Sequence, residues 1–208
     1  MWQPQRGGWR PLKKLAEHWA LLAWVAVAVL GLSGQVRYCC QDETRMGLKP
    51  SSGRKLTAKG VQPRGKVPWP FKATALYGVV APATGEHCFY EFTHRHSECF
   101  QVFLALVSEP YNDSLRSMPL DQAGAHRAKR LQRPPNIILL CQPSHAPATN
   151  PIERVWQQLK LGLRWQLPKH LEAWRLLLRS RLEAMTPGVI AAIGGWHSMR
   201  SALSVAGI

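Results

Sequence analysis

Acidic residues are scarce in this chain of 208 residues: 12 Asp+Glu stand against 27 Lys+Arg, a formal net charge of +15. Only three of the acids are aspartates, Asp42, Asp113 and Asp121. An acid-rich disordered chain is therefore excluded. A charged content of 19% beside 46% hydrophobic leaves apolar material for a core. The five cysteines (Cys39, Cys40, Cys88, Cys99, Cys141) contain no repeated CxxC and are odd in number, which argues against a zinc ribbon and a disulfide framework. Buried free thiols in a reducing compartment are the expected state. Internal repeats and long low-complexity stretches are missing, and the composition is neither that of collagen nor that of a coiled coil. The apolar run from Trp19 to Leu32 falls short of the ~20 residues a membrane span needs. It follows Lys13-Lys14 and precedes Ser33-Gly34, so by itself it reads as a secretory signal, a buried helix or a stretch under no structural selection.

The basic excess is unevenly placed. Residues 42–72 carry +6 and residues 121–208 carry +8, whereas residues 73–120 carry −3. A folded body whose outer surfaces meet a polyanion, nucleic acid or an anionic membrane surface, fits this distribution better than a uniformly basic tail.

From residue 35 onward the pattern is α/β. Residues 35–41 are strand-like and run into Asp42. Residues 72–80 and 87–92 read as two strands joined by a turn at Pro82-Ala83-Thr84-Gly85. Residues 97–107 read as a helix with Phe100, Phe103, Leu104 and Val107 on one face. Residues 114–120 form a weak strand ending at Asp121, and 136–141 (NIILLC) a short buried one. Two helices follow, near 151–165 and 169–185, then a short one opened by Thr186-Pro187.

Three acids stand at the expected ends of elements: Asp42 and Asp121 after strands, and Glu153 in the first turn of a helix. Carboxylates so placed can converge at one edge of a sheet, where α/β proteins hold their sites. Three of them in a basic protein suit two divalent metals about 3.5–4 Å apart. Other readings stand beside this one. Asn150-x-x-Glu153 with Pro151 at the first helical position is a capping-box pattern. Asp121 suits a turn or a helix cap, and Asp42-Glu43 a solvated pair.

The words themselves narrow the choice. Cys40-Gln-Asp-Glu-Thr-Arg-Met-Gly-Leu-Lys49 and Gly53-Arg-Lys-Leu-Thr-Ala-Lys-Gly60 come first, then Leu76-Tyr-Gly-Val-Val, Leu120-Asp-Gln-Ala-Gly-Ala-His126 and Asn136-Ile-Ile-Leu-Leu. Asn150-Pro-Ile-Glu-Arg-Val-Trp-Gln-Gln-Leu-Lys160 is the most specific piece. Together, over residues 36–208, they resemble the catalytic domain of bacterial insertion-sequence transposases of the mariner-related DDE superfamily. The resemblance implies an RNase H-like (retroviral-integrase-like) α/β fold, a mixed five-stranded sheet flanked by helices. It also implies a DDE endonuclease that cleaves DNA strands and transfers them. Asp42, Asp121 and Glu153 would be its catalytic residues and would hold two Mg²⁺ ions, with Mn²⁺ able to substitute. The partners implied are double-stranded DNA (transposon ends and target) and a second copy in a homodimer on DNA, with no membrane, in the bacterial cytoplasm at the nucleoid. The alternative is an inactive transposase remnant that only binds DNA non-specifically.

The chain divides accordingly into residues 1–34, basic then apolar and unlike the family's helix-turn-helix region, and residues 35–208, the catalytic domain with its C-terminal helices. The strand before Asp121 reads Arg116-Ser117-Met118-Pro119 where the family's is continuous and apolar, and a proline there suits an edge or a bulge. His126 and Asn150 are candidates for supporting the metal shell. His94, His96 and Cys99, with Cys88 nearby, match no standard zinc spacing. Lys49, Arg54, Lys55, Lys59, Arg64 and Lys66 alternate with Gly and Pro and suit a loop that tracks phosphates without reading sequence. Neutralising Arg54, Lys55 and Lys59 together is then expected to weaken DNA binding equally on all sequences. The log–log salt slope of binding should become shallower by up to about 0.9 per lost phosphate contact. An unchanged slope in a salt titration would mean a merely solvated face.

Overall fold

The computed structural model describes residues 36–48, 57–62, 72–111, 114–120, 131–141, 150–164, 166, 168–195 and 197–205. The readings for residues 1–34 lie outside them. In chain order the elements are β1 (Val36–Tyr38), β2 (Cys40–Gly47), β3 (Ala73–Val80), β4 (His87–Phe92), α1 (Ser97–Ser108), a 3-10 turn (Glu109–Tyr111), β5 (Leu115–Leu120), β6 (Ile137–Cys141), α2 (Pro151–Leu163), α3 (Leu171–Glu183), α4 (Pro187–Gly194) and α5 (His197–Val205).

The strands form two three-stranded sheets, β1-β5-β6 and β2-β3-β4. The first is parallel throughout and the second antiparallel throughout. The expected single five-stranded sheet is thus hydrogen-bonded as two sheets of three. They meet at Cys39, the one residue between β1 and β2, whose N–H donates to the Ser117 carbonyl of β5 at 2.9 Å. One extended stretch changes partner there: before Cys39 it runs parallel to β5, and after it antiparallel to β3.

The change of partner explains Pro119. β5 is not an edge strand, as the proline led one to expect, but lies between β1 and β6 with all six residues buried. Arg116 N–H donates toward β6, to the Asn136 carbonyl at 2.8 Å. Amide directions alternate along a strand, so the nitrogen of Pro119, three residues on, points the other way, toward the β1 side. The paired register with β1 ends at Tyr38 opposite Ser117, so no ladder bond is lost at Pro119.

Helices cover both faces of the strands. Ala75, Tyr77 and Val79 of β3 point toward Phe100, Phe103, Leu104 and Val107 of α1, whose i, i+3, i+4, i+7 spacing gives one apolar stripe. On the opposite face Cys40, Met46, Leu76 and Val80 pack against Ile152, Val155, Trp156 and Leu159 of α2. Trp174 and Leu178 of α3, Ile190 of α4 and Met199 of α5 extend the same cluster. Arg175 of α3 reaches the strand edge, with Nε 2.7 Å from the Glu91 carboxylate of β4 and Nη1 2.7 Å from that of Glu172.

Helix α4 braces the β3–β4 turn. Thr186 caps it by accepting from Val189 N–H at 3.4 Å, with Pro187 in the first turn. Gly85, at φ 78°, lies so close that an added Cβ would stand 1.9 Å from the Pro187 carbonyl oxygen. At its far end an added Cβ on Gly194 would touch both Pro82 of the turn (3.5 Å) and Pro151 of α2 (3.6 Å). Gly85→Ala is expected to cost more than the roughly 1–2 kcal/mol of a left-handed backbone alone, because the clash is with main chain. Gly188→Ala, in α4 with nothing within 4 Å, should be neutral or stabilising by up to about 1 kcal/mol. Chemical denaturation of the two variants checks the contrast.

Candidate metal centre

Strand alternation separates the neighbouring acids of β2. Asp42 shares the face of Cys40 and Met46, turned toward α2, while Glu43 lies on the opposite face with Gln41. Gln41 Nε2 donates to Glu43 Oε1 at 2.9 Å. Asp42 does not follow a strand, as its polar neighbours led one to expect; it is the third residue of β2, opposite Gly78 of β3. The run Gln-Asp-Glu-Thr-Arg stays extended because all eight β2 residues pair with β3.

The N-terminus of α2 is fixed against this strand. Asn150 uses both ends of its side-chain amide: Oδ1 accepts from Ile152 N–H at 3.3 Å, capping the helix, and Nδ2 donates to the Gln41 carbonyl at 3.1 Å. Pro151 occupies the first turn, where a missing N–H costs nothing. Glu153 falls in the same turn, and its backbone N–H donates to the Asn150 carbonyl at 3.1 Å. The capping-box reading is half realised: Asn150 caps, and among the described residues Glu153 makes no reciprocal bond to the Asn150 N–H. One turn on, Trp156 is buried, and its Nε1–H donates to Asp42 Oδ2 at 3.0 Å. Its indole lies where a side chain on Gly78 would be, since an added Cβ there would come within 2.5 Å of the ring.

Asp42 and Glu153 therefore carry like charges in one partly buried place. Burial first, then the Glu153 carboxylate, push the Asp42 carboxyl from 3.8 up to about 7. The Glu43 N–H and the Trp156 indole N–H pull it the other way. The two carboxyl groups are hard-oxygen donors of like charge, the kind of ligand that Mg²⁺ or Mn²⁺ takes from a protein.

Of the other sequence-derived candidates, Asn150 caps α2 and bonds the Gln41 carbonyl of β2, the residue before Asp42. Lys59 is exposed in a short turn in which Thr57 Oγ1 donates to the Val61 carbonyl at 2.8 Å. Asp121, His126, Lys49, Arg54, Lys55, Arg64 and Lys66 lie outside the described residues. Among the described residues no three His, Cys, Asp or Glu side chains gather into a metal-holding group. The His94 and His96 rings stack with centroids 5.3 Å apart, and His94 Nδ1 lies 2.9 Å from Thr93 Oγ1. Sequence reading did not single out Trp156 or Gly78. The only signal for Trp156 was its position three residues after Glu153, on the same side of one helix.

Fold and site together define an α/β protein that sets a strand aspartate against a glutamate at a helix start, a carboxylate pair suited to divalent cations. More narrowly, the chain belongs to the DDE superfamily endonucleases, whose family it matches over residues 37–173. A Sinorhizobium fredii protein described as "Uncharacterized protein y4pE/y4sA" is 33% identical over 86 residues, which cover 41% of this chain and 64% of that protein. Among solved structures, a pre-cleavage Mos1 transpososome superposes with a TM-score of 0.63 at 13% identity, covering 100% of this chain and 66% of that one. The mariner Mos1 paired-end complex with Mg gives 0.63 at 14% identity, again covering 100% and 66%. The corresponding complex with Mn gives 0.61 at 15%, covering 100% and 65%. At such identities the likeness is one of fold. The chain spans less than two thirds of the length of these relatives.

The Asp42 pKa fixes the sign of a pH effect. A carboxyl that holds its proton more tightly in the folded state contributes stability that is fully present below its unfolded value of about 3.9. That contribution is lost as pH rises through about 7. Metal-free protein should therefore lose stability between about pH 4 and 7, by at most roughly 1.4 kcal/mol per pH unit from this group. Asp42→Asn should flatten that part of the curve. Urea melts in chelator at pH 5 and pH 8 measure both.

Proposed function

We propose that this chain is the catalytic domain of an insertion-sequence transposase, cleaving DNA strands at the element's ends and joining them to a target. The observation that carries the reading is that Asn150 and Trp156 bond the start of α2 to β2, from distant parts of the sequence, so that the Glu153 charge acts on Asp42. Asp121 is the third carboxylate we assign. It is bonded to Leu120, the last residue of β5, and stands 79 positions after Asp42. The β1–β5 ladder pairs each residue with the one 79 positions later, Val36 with Leu115 and Tyr38 with Ser117. The place of Asp121 directly after β5, the strand that pairs with β1, is what supports the assignment. The two sheets would then be one mixed RNase H-like sheet in the order β4-β3-β2/β1-β5-β6, and the domain would run from residue 35 through the C-terminal helices.

Asp42, Asp121 and Glu153 would hold two Mg²⁺ ions, or Mn²⁺ in their place. When bound, the ions supply charge that activates the attacking oxygen and stabilises the leaving one. Asp42 and Glu153 fix where that charge sits relative to the strand, and Asn150 fixes the helix start that carries Glu153. A water, and later a DNA 3′-OH, attacks phosphorus in line while the opposite P–O bond breaks, so no Ser, Cys or Tyr nucleophile is required. His126 would support the carboxylate shell. Lys59, with Lys49, Arg54, Lys55, Arg64 and Lys66, would meet the phosphates of double-stranded DNA. The working species would be a homodimer on DNA at the bacterial nucleoid; the DNA partner has support from a Mos1 structure described as a paired-end complex with left transposon end.

Asp42→Asn, Asp121→Asn and Glu153→Gln should each abolish Mg²⁺- or Mn²⁺-dependent cleavage of a labelled element end, whereas Asp113→Asn should leave it near wild type. Equal activity of Asp113→Asn and Asp42→Asn proteins would sink the assignment. Binding of the same DNA without cleavage by the wild-type chain would identify a non-catalytic remnant. Glu153→Gln should also lose most of the thermal stabilisation that millimolar Mn²⁺ gives the wild type, since a ligand of the native state stabilises by mass action.

A further inference from the structure

We propose that Trp156 is a positioning residue for the metal centre: its indole N–H holds Asp42 Oδ2 and so fixes the rotation of the carboxylate that would meet the cation. The proposal rests on the reading of Asp42 as a metal ligand.

Three observations carry it. The Nε1–Oδ2 distance of 3.0 Å is that of a well-formed N–H···O hydrogen bond, and the indole has one donor and no acceptor. Such a bond occupies Oδ2 and, with the Glu43 N–H that also bonds the carboxylate, restricts the rotation of the Asp42 side chain. The indole is itself immobilised: Trp156 is 1% exposed, its ring centroid lies 5.6 Å from that of Phe89, and Gly78 provides the space for its outer edge. Finally, Trp156 stands three residues after Glu153 in α2, one helical turn away. The helix that carries one carboxylate thus carries the donor that orients the other. Their separation is set by a rigid turn rather than by two independent side chains.

A core tryptophan needs none of this, and the two roles separate experimentally. Trp156→Phe keeps an aromatic ring against Gly78 and Phe89 and removes only the donor. Mn²⁺ affinity, read at constant pH from the electron paramagnetic resonance signal of free Mn²⁺, should fall roughly 10–100-fold, the usual effect of removing a group that orients a metal ligand. The metal-free melting temperature should move by only a few degrees. A folded Trp156→Phe protein with Mn²⁺ affinity within twofold of wild type overturns the proposal.

Asp42→Asn tells this failure from that of the underlying reading. If it too binds Mn²⁺ like wild type, the metal centre itself falls. If it loses Mn²⁺ while Trp156→Phe does not, only the role of Trp156 falls. A second measurement needs no folded Trp156 variant. Among the nine tryptophans, one indole ¹⁵N–¹H resonance should shift on saturation of the wild type with Mg²⁺, and that shift should be absent in Asp42→Asn. Indole resonances that all stay in place overturn the proposal as well.

Discussion

Asp42 and Glu153 repel one another, and the surrounding structure is arranged to hold them together in spite of it. Bringing two carboxylates into a partly buried place costs free energy through desolvation and through like-charge repulsion, the two causes that raise the Asp42 pKa most. Several features work against that cost. The apolar stripe of α2, Ile152, Val155, Trp156 and Leu159, is buried against the strands and anchors the helix there. The Asn150 amide joins its first turn to the Gln41 carbonyl. The helix start, with its partial positive charge, is the favourable end for anionic groups. A divalent cation, where one binds, would offset what remains.

The break at Cys39 has a related consequence. A strand that keeps one partner along its whole length leaves no space beside it. Here the extended stretch parts from the β5 register after Tyr38 and pairs with β3 instead. Pro119, which can donate nothing, faces the side that β1 has left. The divergence therefore occurs beside the middle of β5, opposite Ser117, and three residues before Asp42. Parallel β1 and β5 direct their C-terminal ends the same way, and α/β proteins place their sites at such ends.

Much of this was legible in the sequence. The 3.6-residue spacing of Phe100, Phe103, Leu104 and Val107 identified α1 and its buried face, and Thr186-Pro187 marked the start of α4. Asn150-Pro151 did the same for α2, because caps are short-range chemistry. The length of β2 was not legible. Gln-Asp-Glu-Thr-Arg has few of the β-branched and aromatic residues that mark strands, and it is extended because β3 supplies eight pairing partners. The central position of β5 was hidden for a similar reason: whether a proline harms a sheet depends on the side its nitrogen faces, which only the neighbouring strands decide. Helix α5 went unread, since Met199 is its one buried apolar residue among those described and a single residue gives no period. Trp156 had the spacing of a core residue and is one. Its bond to Asp42 is a tertiary contact that helical periodicity cannot encode.

The stretch from Asn150 to Trp156 shows why the most specific piece of the sequence is also the centre of the structure. Asn150 caps the helix and ties it to β2, and Pro151 begins it while touching α4 through Gly194. Ile152 and Val155 are fully buried, and Glu153 turns its charge toward Asp42. Trp156 fills the space above Gly78 and bonds to Asp42. The residues of this stretch are thus held by several separate contacts, and a helical turn is stiff enough that their demands must be met together. A replacement that suits packing alone, such as leucine for Trp156, would satisfy the core and fail the carboxylate. One that suits the cap alone, such as serine for Asn150, would hold the helix start and lose the amide that joins it to the strand. Specificity in this stretch therefore comes from several ordinary constraints falling on the same two turns of helix.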